Sequence, residues 1–190
     1  MSIPHSEFAP RVIVWQRQHG RHGLPWQVSD PYKIWLSEIM LQQTQVGAVL
    51  GYYSAFLQRF PDVATLAAAP VDAVLAAWSG LGYYSRARNL HRAAQLVVAQ
   101  YGGQFPASQA GLISLPGIGR STAAAIAAFA FGQRAAILDG NVKRVLTRCY
   151  GVEGWPGDKK VENQLWTLAE QVLPGDATSM TAYTQGLMDL

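Results

Sequence analysis

Leu115-Pro116-Gly117-Ile118-Gly119-Arg120-Ser121 lies between two stretches that read as helix, Ser108 to Leu115 and Ser121 to Phe131. Two glycines two apart permit a tight turn and expose successive backbone N–H groups just ahead of a helix start. Such a turn cradles a phosphate without needing a charged side chain. The same residues also suit an ordinary connection between helices. Downstream, Ala123-Ala124-Ala125-Ile126-Ala127-Ala128 is apolar on nearly every face, which is the pattern of a helix at the centre of a bundle.

On either side of that turn the chain keeps reading as helix. Asp30-Pro31 is a cap and first-turn signal that opens a helix from about Tyr32 to Gln43. Val46 to Phe60 follows and stops at Pro61, and Pro70 starts another that runs to Trp78. From Ser85 the apolar positions Ala87, Leu90, Ala94, Val97 and Tyr101 keep 3-4-3-4 spacing, and Gly102-Gly103 closes the segment. Asn141 to Tyr150 and Lys160 to Val172 complete the set. Ala135-Ala136-Ile137-Leu138 is too short to anchor a sheet, so the fold class is all-α.

The composition excludes several function classes. With 190 residues, 49% hydrophobic and 14% charged, the chain buries a sizeable core and is not disordered. Its most apolar stretch, Ser121 to Phe131, is about half the ~20 residues that a bilayer helix requires. No basic segment precedes an apolar run near Met1, so no signal peptide is expected. One cysteine, Cys149, makes neither a disulfide framework nor a cysteine-based metal site, and a reducing, cytoplasmic setting is expected. The net charge is only +3, but Arg86, Arg88 and Arg92 form one acid-free cluster and Lys143, Arg144 and Arg148 another. Two basic patches on a sparsely charged chain point to a polyanionic partner.

Three further segments carry candidate chemistry. Glu38 is the only charge from Ile34 through Phe56. A carboxyl among apolar neighbours suits a raised pKa and a general acid's role, although the position equally suits a helix's solvent stripe. Gln42, Gln43 and Gln45 follow it and offer neutral donors and acceptors. Asp139-Gly140-Asn141 puts a carboxylate at a helix start, where its ionised form is favoured; it also makes a good turn with Asn141 as cap. Gly80-Leu81-Gly82-Tyr83-Tyr84-Ser85-Arg86 sets two aromatics beside a basic helix start. That grouping suits base stacking or wedging, while two rings packed in the core is the plainer alternative.

Together these segments resemble one family. Apolar-Pro-Gly-apolar-Gly between helices fits a helix-hairpin-helix. Leu24-Pro25-Trp26, the run Pro31 to Val46, the run Gly80 to Leu90, Leu115 to Ala123 and Leu138 to Val145 are similar, in order and spacing, to the MutY-type adenine DNA glycosylases of the helix-hairpin-helix glycosylase superfamily. The resemblance extends from about Phe8 to Leu190. It implies a monomeric enzyme on double-stranded DNA at the nucleoid, removing adenine mispaired with 8-oxoguanine or guanine from a flipped-out nucleotide. Glu38 matches the acid that protonates adenine, Asp139 the carboxylate that stabilises the sugar cation, and Asn141 a residue positioning the centre. Gln43 and Tyr83 match lesion contacts. Arg86, Lys143 and the hairpin residues Leu115, Gly117, Ile118, Gly119, Arg120 and Ser121 complete the expected DNA-binding set.

The resemblance also implies an architecture and some departures from it. A six-helix barrel spans 29–133 with its hairpin at about 107–131, and a second helical lobe takes 1–28 plus 134–190, with Glu38 and Asp139 facing a cleft between the two lobes. Ser121 stands where endonuclease-III-type lyases place a Schiff-base lysine, which implies hydrolysis alone. Gln27 stands where many members carry arginine. The family's 4Fe-4S cluster is held by four cysteines expected after Leu190, so none of its ligands falls within these residues. Helices after Asn141, above all Lys160 to Val172, are therefore expected to expose Val161, Leu165, Trp166, Leu168, Ala169 and Val172. A thymine–guanine glycosylase, an endonuclease-III-type enzyme and a DNA-binding fragment without catalysis are the alternatives.

Overall fold

A computed structural model describes residues 3–190, and every regular element among them is helical. No helix is long and apolar enough to cross a membrane. The chain divides into two compact units, Pro25–Ile126 and Met1–Leu24 with Ala127–Leu190. The boundaries fall at 24/25 and 126/127, where the sequence implies 28/29 and 133/134.

In the first unit, α2 (Pro31–Leu41) opens as its sequence predicts. Pro31 takes the first turn and Asp30 Oδ1 accepts from Tyr32 N at 2.9 Å. Ile34, Trp35, Leu36, Ile39 and Met40 are all buried, so α2 is a core helix on most of its surface. Each such side chain contributes roughly 1.5–3 kcal/mol when fully buried. Then come α3 (Val46–Arg59), α4 (Val63–Ala68), α5 (Val71–Ala77), α6 (Tyr84–Tyr101), α7 (Gln109–Ile113) and the first part of α8 (Arg120–Phe131), which crosses the boundary at 126/127. α6 packs on α4, α5 and α2, and α3 packs on α2 and α5. Fully buried Trp78 meets Phe56 edge-on at 6.0 Å, and Trp35 lies 5.0 Å from Phe105. Ala123 through Ala128 are all fully or almost fully buried, as expected of a central helix.

The second unit holds α1 (His5–His19), α9 (Gly140–Tyr150), α10 (Lys159–Gln171) and α11 (Met180–Asp189). α1 and α11 form its largest contact, and Gly186 is what brings them close. A Cβ there would lie 2.8 Å from Val12 Cγ1. Asp189, nearly buried, holds Arg21 through Nε at 2.6 Å and through the backbone N at 2.8 Å.

This unit overturns one expectation. Leu165, Leu168, Ala169 and Val172 are buried, and Val161 and Trp166 are half-buried. α9 packs on α10, and α11 packs on α9 and α1, so these helices bury that apolar face against one another. α1, α4 and α11 are missing from the helices read off apolar spacing. α1 carries Pro10 and a mixed charge pattern, α4 has only 6 residues, and α11 interrupts its apolar positions with Thr181, Thr184, Gln185 and Gly186.

Candidate active site and nucleic-acid interface

Glu38 lies mid-way along α2 and is half-buried, between the two readings of a carboxyl enclosed by apolar neighbours and one on a solvent stripe. It is one turn before Gln42, the residue that caps the end of α2, so the two backbone positions lie on the same side of the helix. Gln42 shows where that face points: its Nε2 lies 3.4 Å from both Gly117 O and Thr122 Oγ1. The catalytic candidate and the hairpin turn therefore belong to one packed unit, joined through a neutral amide.

The hairpin has the geometry its sequence suggests. α7 is capped by Ser108, whose Oγ accepts from Gly111 N at 3.2 Å. Ile118 N closes the turn on Leu115 O at 3.2 Å, and Gly119 O receives the first bond of α8 from Ala123 N at 2.9 Å. Gly117 has φ +81°, and a Cβ on it would lie 3.0 Å from Asn89 Cβ, so both conformation and space call for glycine. Gly119 is different, with no positive φ and nothing within 4 Å of where a Cβ would sit. Leu115 and Ile118 are buried, which leaves only their backbone for a ligand. Gly117, Gly119 and Arg120 are exposed and Ser121 is half-buried.

Tyr83 and Tyr84 are not core residues. They are 61% and 42% exposed, which favours the wedging or stacking alternative over the packed one. Gln43 is exposed too. Gln43 (φ 56°) and Tyr83 (φ 48°) are the only non-glycine residues with positive φ among those described. Such a conformation costs on the order of 1–3 kcal/mol and persists where its surroundings over-determine it.

Two expected DNA contacts are placed differently. Arg86 is 8% exposed, and its guanidinium donates to backbone carbonyls inside the unit, so it is placed as an internal donor and not as a free surface charge. Burial also pulls it below its ordinary pKa, with the neighbouring Tyr83 opposing that shift. Its cluster partners Arg88 and Arg92 are the exposed ones. Lys143 Nζ is paired with Glu162 Oε1 at 2.8 Å, and that bond with a second from Lys159 holds Glu162 below the usual carboxylate range. Arg144 and Arg148 are exposed in its place. Neither pairing has a local signature in the sequence, since the partners are distant in the chain or are backbone atoms.

In the second unit Asp139 is the N-cap of α9, its Oδ1 accepting from Val142 N at 2.8 Å. The helix begins at Gly140, so Asn141 lies within the first turn and is not the cap. Capping occupies one carboxylate oxygen and orients the group at the positive end of the helix. Asp139 and Asn141 are both half-buried.

The described residues do not supply ligands for an iron–sulfur cluster. No three His, Cys, Asp or Glu side chains come together among them. Cys149 is a single thiol that burial pushes above its ordinary pKa, away from the thiolate that a metal takes.

The family described as HhH-GPD superfamily base excision DNA repair protein matches residues 36–171. The adenine DNA glycosylase of Buchnera aphidicola subsp. Baizongia pistaciae is 46% identical over 184 residues, covering 96% of this chain and 51% of that protein. The adenine DNA glycosylase of Homo sapiens is 41% identical over 197 residues, covering 96% of this chain and 35% of its own length. The chain thus spans about half, or less, of the curated relatives it matches. Among solved structures, a thermostable thymine-DNA glycosylase superposes with a TM-score of 0.85 at 30% identity, covering 96% of this chain and 83% of that one.

Proposed function

Because the chain belongs to the HhH-GPD superfamily of base excision DNA repair proteins, we propose that it hydrolyses the N-glycosidic bond of adenine mispaired with 8-oxoguanine or guanine in double-stranded DNA. The observation that carries this reading is the shared face of Glu38 and Gln42, with Gln42 reaching the hairpin at Gly117 and Thr122. A glycosylase needs its acid fixed relative to its grip on the backbone, because geometry lost by an ångström costs orders of magnitude in rate.

The chemistry follows from residue types. A base inside a duplex is out of reach, so the adenosine is extruded, and the exposed aromatic Tyr83 and polar Gln43 suit the gap it leaves. Glu38 in its acid form gives a proton to a purine ring nitrogen. The C1′–N9 bond then breaks with its electron pair leaving on the base. The sugar becomes cation-like, and the Asp139 carboxylate stabilises it until water adds at C1′ and gives its proton to a carboxylate or to solvent, as in glycoside hydrolysis by paired carboxylates. Asn141, in the first turn of the same helix, helps hold that centre. Backbone groups of the hairpin from Gly117 to Ser121 contact phosphate and position the duplex without reading its sequence. Ser121 offers no amine, and Lys143 is held by Glu162, so the product is an intact abasic strand.

The high structural likeness to a thymine-DNA glycosylase makes thymine the alternative base. The deciding experiment incubates the chain with duplexes carrying one adenine–8-oxoguanine, adenine–guanine or thymine–guanine pair and quantifies the free base. Adenine release from the first two supports the proposal. Thymine release alone, or no release with duplex still bound, overturns it.

A further inference from the structure

One guanidinium ties together the two loops that carry Gln43 and Tyr83. Arg86 Nη1 donates to the carbonyl oxygens of Ile39 at 3.1 Å, Met40 at 2.9 Å and Gln42 at 2.5 Å. Its Nη2 donates to Leu81 O at 3.2 Å and Gly82 O at 3.3 Å. Trp78 Nε1 adds a second donor to Gly82 O at 3.1 Å. The arginine's central carbon lies 5.4 Å from the ring centroids of both Trp78 and Tyr83, within cation–π range of each.

The chemistry of these partners is specific. The last carbonyls of a helix lack intrahelical donors and carry its negative end, so a buried cation there is favoured. Arginine alone presents several donors in a fixed planar fork, whereas lysine offers one compact centre. The carbonyls held at the far ends of the cage belong to Gln42 and Gly82. Each is the residue immediately before a left-handed, non-glycine position: Gln43 follows the first and Tyr83 the second.

We propose that Arg86 is a positioning residue that locks Gln43 and Tyr83 into their left-handed backbone conformations and so fixes, on one surface, the two side chains that meet the mispair. The clamp acts through backbone, not through DNA. It rests on the glycosylase reading for what the two side chains meet, and on the geometry alone for the locking.

Two measurements on the 190-residue chain separate those parts. Hydrogen exchange compares the parent with Arg86→Lys at residues 39–44 and 80–85, with α8 as internal reference. The clamp predicts faster exchange in both segments while α8 is unchanged. Equilibrium binding then compares an adenine–8-oxoguanine duplex with its fully paired counterpart across a salt series. Arg86→Lys should lose roughly tenfold in preference for the mispair, the size of effect that coupled neighbours show. Affinity for the paired duplex and its salt slope should stay as in the parent. With Tyr83→Ala already present, Arg86→Lys should cost little further preference.

Unchanged exchange in either segment overturns the clamp. So does an equal loss on both duplexes with a shallower salt slope in Arg86→Met, which marks a direct phosphate contact. A parent with no mispair preference contradicts the glycosylase reading instead, and the exchange result still decides the locking. If the variants fail to fold, the parent's own nitrogen-resolved spectrum decides. Distinct, slowly exchanging Nη protons on Arg86 support the clamp, and averaged, rapidly exchanging ones overturn it.

Discussion

The side-chain amide of Gln42 lies 3.4 Å from the carbonyl oxygen of Gly117, which joins the helix carrying Glu38 to the hairpin turn. On the proposed function, the group that breaks the bond and the backbone that grips the strand are therefore parts of one packed body, Pro25–Ile126. Damage to one is separable from damage to the other only if the substitution leaves this body intact.

Gly117 and Gly119 should fail in different ways. Gly117→Ala forces an L side chain into φ +81° against Asn89, so its melting temperature should drop, with a cost of about 1 kcal/mol or more. Gly119→Ala meets nothing within 4 Å, so melting should be unchanged. If the backbone at Gly119 approaches a phosphate, however, Gly119→Ala should weaken binding to every duplex alike. Normal binding by Gly119→Ala would contradict the phosphate assignment at that residue.

Asp139 does two jobs that a single exchange separates. Asn caps a helix about as well as Asp, so Asp139→Asn should melt within a degree or two of the parent. Base release should nonetheless fall by orders of magnitude, because a neutral amide does not stabilise a sugar cation. Asp139→Ala should lose both, with roughly 1 kcal/mol of stability gone with the cap. Full activity in Asp139→Asn would reduce the residue to its capping bond with Val142.

The all-helical class and the hairpin were legible because each rests on local rules: the Asp30-Pro31 start, the 3-4 spacing along α6 and the glycine pair at 117 and 119. The start of α2 and the extent of α9 were legible for the same reason, but α2 stops at Leu41 and not at Gln43, and the cap of α9 is Asp139 and not Asn141. What local rules do not encode is which distant group a charge meets. Arg86 and Lys143 read as free basic residues, yet one donates to the carbonyls of Ile39, Met40 and Gln42, more than forty residues away, as well as to nearby ones, and the other is paired across helices. α11 was missed for a related reason, since its burial comes from α1 at the opposite end of the chain. The left-handed conformations of Gln43 and Tyr83 were likewise invisible, because neither is a glycine.

Strand cleavage offers a chemical check. With serine at position 121 and Lys143 engaged by Glu162, the abasic strand should stay whole until alkali or heat is applied. Lys143→Ala should leave base release intact and remove any trace of nicking. Stoichiometric nicking that tracks base release and survives Lys143→Ala would show a lyase amine elsewhere in the chain.

The pairing of Lys143 also has a pH signature. Glu162 is held below the usual carboxylate range by Lys143 first and Lys159 next, so the pair is present above that range and is lost as pH falls through the lowered value. Its contribution is small because both partners are partly open to solvent. The melting temperature of Glu162→Gln relative to the parent should therefore show a slight deficit at neutral pH that disappears in acid. A deficit that grows in acid would contradict the pairing.

Single-turnover release of free adenine from a duplex with one adenine–8-oxoguanine pair, run side by side with the parent and Glu38→Gln, tests the central claim most directly. General acid catalysis is worth about 10²–10⁴-fold, so Glu38→Gln should slow release by at least a hundredfold while its affinity for the duplex stays within a few-fold of the parent. Release by Glu38→Gln within threefold of the parent would contradict the account, because the half-buried carboxyl on α2 would then be a surface residue and not the acid that frees the base.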